Sequence, residues 1–130
     1  MILFHAADLI WATKIKGTAD ALGLAARPVR TVEMLEARLA DSQVRALVVD
    51  LDAPDVALAL IRSIRSRAGP SLPIRVLAFG PHVAVDDLAS ARAAGADSVM
   101  PRGAFNAHMP SILKDLAAGG APTSRLEEPT

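Results

Sequence analysis

Ala46-Leu47-Val48-Val49-Asp50-Leu51-Asp52-Ala53-Pro54 is the stretch on which the fold of this chain turns. An apolar run ends in an aspartate, and a proline follows four residues later. An unbroken apolar run of this kind suits a strand of a parallel sheet, buried on both faces. Such a strand carries its terminal carboxylate to the carboxyl edge of the sheet, where ligands bind in open α/β folds. What Asp50 can do there depends on what neighbouring strands bring beside it.

Outward from this run, short apolar strands alternate with helical patterns. Toward the N-terminus, Ile2 to His5 reads as the first strand. Asp8 can cap a helix in which Leu9, Ile10, Ala12, Ile15, Ala19 and Leu22 recur at helical spacing, and Gly23 ends it. Pro28-Val29-Arg30 reads as a short second strand, placed at an edge by its proline. Thr31 can cap a second helix through Ala40, with Val32, Leu35 and Leu39 inward. Val44 to Val49 is the third strand, and Pro54 stands just ahead of a third helix.

In that third helix Val56, Leu58, Leu60, Ile61 and Ile64 are expected inside, with Arg62, Arg65 and Arg67 on a solvated face. A Gly69-Pro70 turn leads to a fourth strand, Ile74 to Phe79. Asp86 and Asp87 open a fourth helix that Gly95 closes. Ser98 to Met100 is the fifth strand, and Phe105 to Ala117 a fifth helix with Pro110 near its start or at a kink. The β-α alternation predicts one α/β domain over residues 1–117, a flavodoxin-like (βα)5 sandwich with a parallel five-stranded sheet of order 2-1-3-4-5. Residues 118–130, rich in Gly, Pro, Ser and charge, predict a disordered tail.

Composition removes several function classes. Fourteen Lys+Arg against fourteen Asp+Glu leave no net charge to attract nucleic acid or an anionic membrane. With no cysteine there is no disulfide, thiol nucleophile or thiolate-bound metal. Only 3% of residues are aromatic, which leaves little to stack a nucleobase or flavin and builds the core from Ala, Leu, Val and Ile. No apolar stretch reaches the roughly 18 residues of a membrane span, and no basic segment precedes Met1-Ile2-Leu3-Phe4, so a cytoplasmic location is expected. A dinucleotide-binding domain would need a glycine-rich turn after the first strand, where His5-Ala6-Ala7-Asp8 has none.

Two segments resemble the receiver domain of bacterial two-component response regulators, of the chemotaxis-regulator type. Val48-Val49-Asp50-Leu51-Asp52-Ala53-Pro54 matches that family's apolar-Asp-x-x-x-Pro segment, and Ala93-Ala94-Gly95-Ala96-Asp97 its Ala-Gly-Ala turn before the last strand. The resemblance implies that Asp50 stands at the aspartate that receivers phosphorylate. It also implies an acidic pair for Mg²⁺ after the first strand, where this chain has Ala6 and Ala7 with Asp8 next to them. The family's Thr or Ser at the end of the fourth strand aligns with Gly80, and its lysine after the fifth strand with Arg102. The neighbouring proline aligns with Gly103, and the aromatic of the fifth strand with Val99. An arginine keeps the lysine's charge but not its geometry.

The expectation is therefore a degenerate receiver, or pseudo-receiver. Phosphoryl transfer depends on positioning and charge neutralisation, and an aspartate without its metal is a poor acceptor. Asp50 reads either as a residual phosphoacceptor or, more commonly for its position, as a strand-end carboxylate bound to backbone N–H groups. Arg102 is expected to pair with Asp50 across the sheet edge. Asp52 would offer a backbone carbonyl or cap the third helix together with Asp55. A cation site from Asp8, Asp50 and Asp52 is the less favoured alternative. His5 reads as a hydrogen-bonded structural histidine, His82 as a loop residue beside the same pocket, and Trp11 as a core-edge residue off the main apolar stripe.

The expected function is non-catalytic signalling through a protein partner or a homodimer, with the helix 4–strand 5–helix 5 surface implied by the resemblance. No cofactor is expected. The alternative is a single-domain response regulator phosphorylated on Asp50 in a phosphorelay, and only that reading calls for Mg²⁺.

Overall fold

A computed structural model describes residues 1–68, 74–81 and 85–119. The element order is β1 (Ile2–His5), α1 (Leu9–Ala21), β2 (Ala26–Pro28), α2 (Val32–Asp41), β3 (Ala46–Asp50), α3 (Pro54–Ala68), β4 (Arg75–Gly80), α4 (Val85–Ala94), β5 (Ser98–Pro101), α5 (Arg102–Ala107) and α6 (Met109–Ala117). All five strands are parallel, in the order β2-β1-β3-β4-β5. The register sets His5 beside Val49, and Asp50 beside Phe79. The predicted architecture is the observed one. The Gly69-Pro70 turn, His82 and most of the expected tail lie outside the described residues.

Side-chain alternation along the strands divides the core into two layers. Ile2, Phe4, Ala46, Val48, Leu77, Phe79 and Met100 face α1, α5 and α6. Leu3, Leu47, Val49, Val76, Ala78 and Val99 face α2, α3 and α4. Apolar side chains pack on both faces of the sheet, which is why β3 reads as a continuous apolar run.

Asp8 accepts the Trp11 N–H at 2.9 Å and Thr31 the Met34 N–H at 3.1 Å, so each caps its helix as expected. Gly95 closes α4 at φ +121°, a region that strains any L side chain. A Cβ there would also stand 2.6 Å from Arg65 Cγ.

Several local expectations are corrected. The second strand is Ala26–Pro28, not Pro28–Arg30, because its ladder runs from Ile2 beside Ala26 to Phe4 beside Pro28. The proline thus ends the edge strand, where its missing N–H breaks nothing. In α1 the buried residues are Trp11, Ile15 and Ala19, at i, i+4 and i+8, while Leu9 and Ile10 are 80% and 69% exposed. Trp11 is therefore on the apolar stripe, its indole 5.1 Å from the Phe79 ring. In α3, Ala57 takes the inward place expected of Val56, which is exposed.

Arg65 is no member of a solvated face. Its guanidinium donates to the carbonyls of Gly95 and Ile74 at 2.8 and 3.0 Å and to Asp97 Oδ2 at 2.7 Å, fastening α3 to the ends of α4 and β4. Asp97 also accepts the Val76 N–H at 2.8 Å. The single fifth helix is two, α5 and α6, broken at His108 with Pro110 in the first turn of α6. Proline has no N–H for the preceding turn and its ring crowds the carbonyl four residues back, so the chain restarts there.

Candidate functional site

The carboxyl edge of the sheet gathers the ends of β1, β3, β4 and β5. Asp50, the last residue of β3, is 0% exposed. Its Oδ2 accepts the Ala7 N–H at 3.0 Å and its Oδ1 accepts the Asp52 N–H at 2.9 Å. The backbone groups of the two loops that flank it thus hold both carboxylate oxygens. These are charge-assisted bonds, the stronger kind available to a backbone amide. Leu51 N–H continues the β3–β4 ladder to the Phe79 carbonyl at 2.8 Å, which sets the loop after Asp50 against β4.

The salt bridge expected between Arg102 and Asp50 is not formed. Arg102, the first residue of α5, instead bonds through Nη2 to the Asp52 carboxylate. Asp52 lies near the surface while Asp50 is sealed, and a guanidinium keeps more of its hydration by pairing outside. Its charged carbon lies 5.6 Å from the centroid of the Trp11 indole, within cation–π range. Trp11 packs in turn on Phe79 and on Phe105, whose rings stack on each other at 4.3 Å. An edge latch of Asp52, Arg102 and Trp11 results, joining the loop after β3 to the starts of α1 and α5.

The residues after β1 supply no carboxylate to Asp50. Ala6 and Ala7 have methyl groups, and Asp8 is turned to the N-terminus of α1 as its cap. The cation site considered from Asp8, Asp50 and Asp52 is not assembled, because each carboxylate is engaged with a different partner. Among the described residues no three His, Asp or Glu side chains come together in a metal-holding group. Mg²⁺ needs oxygen ligands converging on one octahedron, and these residues do not fit it.

At Gly80 the end of β4 is closed by packing. A Cβ built there would meet Leu51 Cβ at 3.0 Å, so a hydroxyl-bearing side chain would have to push Leu51 back by a few tenths of an ångström. Val99 faces the α2–α3–α4 layer. Gly103 is exposed in the first turn of α5. His5 bonds through Nδ1 to the Val29 carbonyl at 3.1 Å, and its Nε2 has no hydrogen-bond partner among the described residues.

Leu51 and Trp11 are the residues whose roles at this edge exceed the sequence reading. The position of Trp11 three residues after the capping Asp8 was the available sign, since it puts the ring over the start of the helix. Leu51 carries no such signal, because its effect is a close approach to a glycine far along the chain.

No family model matches the sequence, and neither does any curated protein. Solved structures do match the fold. The receiver domain of NtrX from Brucella abortus is similar with a TM-score of 0.72 at 20% identity, over 90% of this chain and 97% of that one. A response regulator (signal receiver domain) from Bermanella marisrubri gives 0.71 at 21% identity, over 88% and 95%. A response regulator from Thermotoga maritima gives 0.70 at 16% identity, over 90% and 96%. The chain has the flavodoxin-like receiver fold.

Proposed function

We propose that this protein is a signalling module of receiver fold that works by binding a protein partner, without a phosphorylation switch at Asp50. The bonding of Asp50 carries this reading. A phosphoacceptor must present a free oxygen to the incoming phosphorus, with cations beside it to neutralise the three equatorial oxygens. Asp50 is sealed, both its oxygens accept backbone N–H groups, and the nearby guanidinium is bonded to Asp52. Gly80, with Leu51 against it, supports the same reading, since no hydroxyl is there to bind a phosphoryl oxygen.

For the partner surface we propose the face of α4, β5 and the helix pair α5 and α6 that replaces the expected fifth helix. Ala89 and Ala93 are exposed on α4, and small side chains there allow a partner helix to approach closely. No helix among the described residues is long and apolar enough to cross a membrane.

The test is exposure of the protein to Mg²⁺ with acetyl phosphate, read by intact mass, and with beryllofluoride, read by amide NMR shifts. The expected result is an unchanged mass and no shifts centred on Asp50, Asp52 and Arg102. A phosphoryl-sized mass increase that Asp50→Ala abolishes would establish the phosphorelay reading instead.

A further inference from the structure

We infer that the starts of α2, α3 and α4, at the carboxyl end of the sheet, form a second docking surface, fitted to a basic amphipathic helix of a protein partner. Met34, Val56 and Val85 take the apolar side chains of that helix, and the carboxylates beside them take its cations. Met34 and Val56 have no part in the α4–β5 face proposed above, and the inference holds whether or not Asp50 accepts a phosphoryl group.

The placement of exposed apolar side chains carries the inference. Among the described residues five large ones are exposed, Leu9, Ile10, Met34, Val56 and Val85, and each stands in the first turn of a helix. Every strand is parallel and each of these helices returns from the strand before it, so all these turns lie at the carboxyl end of the sheet. Leu9 and Ile10 belong to α1, on one face of the sheet. Met34, Val56 and Val85, which are 37%, 36% and 66% exposed, belong to α2, α3 and α4 on the other, where α3 packs against both its neighbours.

The same three first turns are acidic, with Glu33 in α2, Asp55 in α3, and Asp86 and Asp87 in α4. None of the four is in an ion pair among the described residues, and they outnumber Arg30, the cation just before α2. The helix dipole favours carboxylates in a first turn. It gives no reason for an apolar side chain held in water beside each of them.

Spacing and charge select the occupant. Helices packed side by side stand about 8–10 Å apart, and a helix laid across their ends advances about 10 Å in seven residues. An apolar residue at every seventh position, flanked by Lys or Arg, therefore meets all three apolar side chains and the carboxylates between them. A second copy fits less well. Two copies joined through this row would set carboxylate against carboxylate. Joined head to tail, the row would meet the amino end, where Arg45 and Arg75 start β3 and β4 but no large apolar side chain is exposed among the described residues. Nucleic acid and anionic lipid carry the same sign of charge as the row.

The test titrates the full ¹⁵N-labelled chain with a synthetic helix of about 18 residues, with Leu at every seventh position and Lys and Ala elsewhere. A control peptide has Glu in place of Lys. The Lys peptide should bind at least about tenfold tighter than the control, lose affinity as salt is raised, and shift the amides of Met34, Val56 and Val85. Met34→Ser with Val56→Ser, both at exposed positions, should weaken it about tenfold. Asp55→Asn with Asp86→Asn, which keeps the shapes, should narrow the gap between the two peptides. Equal affinity for the two peptides overturns the inference, as do shifts confined to other segments, affinities unchanged in both double variants, or no binding. Shifts of the same three amides with protein concentration alone would assign the surface to a second copy and overturn it as well.

Discussion

Replacing Asp50 tests whether its carboxylate is a fastening or a stored charge, because the two differ in the sign of the stability change. Asp50 accepts the N–H groups of Ala7 and Asp52, and it holds no cation among the described residues. A hydrogen bond to a charged acceptor contributes about 1.5–3 kcal/mol net. Two such bonds would sum to about 3–6 kcal/mol, but Ala7 and Asp52 are exposed residues, so water reaches their freed N–H groups. The lower end, about 3 kcal/mol, is expected for Asp50→Ala. Asp50→Asn keeps one acceptor oxygen and turns an NH₂ toward the other N–H, for a loss of about 1–2 kcal/mol. At about 4 °C per kcal/mol for a domain of this size, the melting temperature should fall by about 12 °C and by about 4–8 °C. Equilibrium urea unfolding at neutral pH checks the free energies and a thermal scan the melting temperatures, both followed by far-UV circular dichroism. A carboxylate kept unneutralised for a cation or a phosphoryl group would give the opposite result. Removing its charge would then relieve strain, and variants as stable as the native chain or more so would refute the reasoning.

Arg102→Met should change the emission of Trp11 with a stability loss of about 1 kcal/mol or less, since the guanidinium and Asp52 are each about a third exposed. Unchanged fluorescence would remove the latch. Gly80→Thr should cost about 1–3 kcal/mol in urea unfolding, because its Cβ meets Leu51 at 3.0 Å. It should also fail to restore acetyl phosphate reactivity. Arg65→Ala should lose about 1–2 kcal/mol by the same measurement, more than Arg62→Ala, since only Arg65 ties α3 to Gly95, Ile74 and Asp97. Equal effects of the two would show that the α3 fastening contributes nothing.

The position of Asp50 is legible in the sequence because β3 is buried on both faces and so spells out its length in unbroken apolar residues. Its bonding is not, since it rests on the N–H groups of Ala7 and Asp52, which any residue but proline supplies. The choice of Arg102 between two carboxylates two residues apart depends on which remains near solvent, and that follows from the turn after β3 rather than from residue type. Leu9 and Ile10 satisfy a helical apolar period yet face outward, because the bulk of Trp11 against Phe79 sets the rotation of α1. The break before α6 is marked by Pro110, but only the placement of α5 against β4 and β5 decides between a kink and a restart.

All the phenyl and indole rings of the chain, Phe4, Trp11, Phe79 and Phe105, belong to the layer between the sheet and α1, α5 and α6. The opposite layer is aliphatic throughout. Near-ultraviolet absorption, fluorescence and ring-current NMR shifts therefore observe one side of the sheet directly and the other only through it. If α2, α3 and α4 loosened before the rest, every aromatic signal would still describe an intact protein. An unfolding curve read from the aromatic rings of this domain reports on half of it, and a backbone probe such as far-UV circular dichroism or amide hydrogen exchange is needed to observe the silent side.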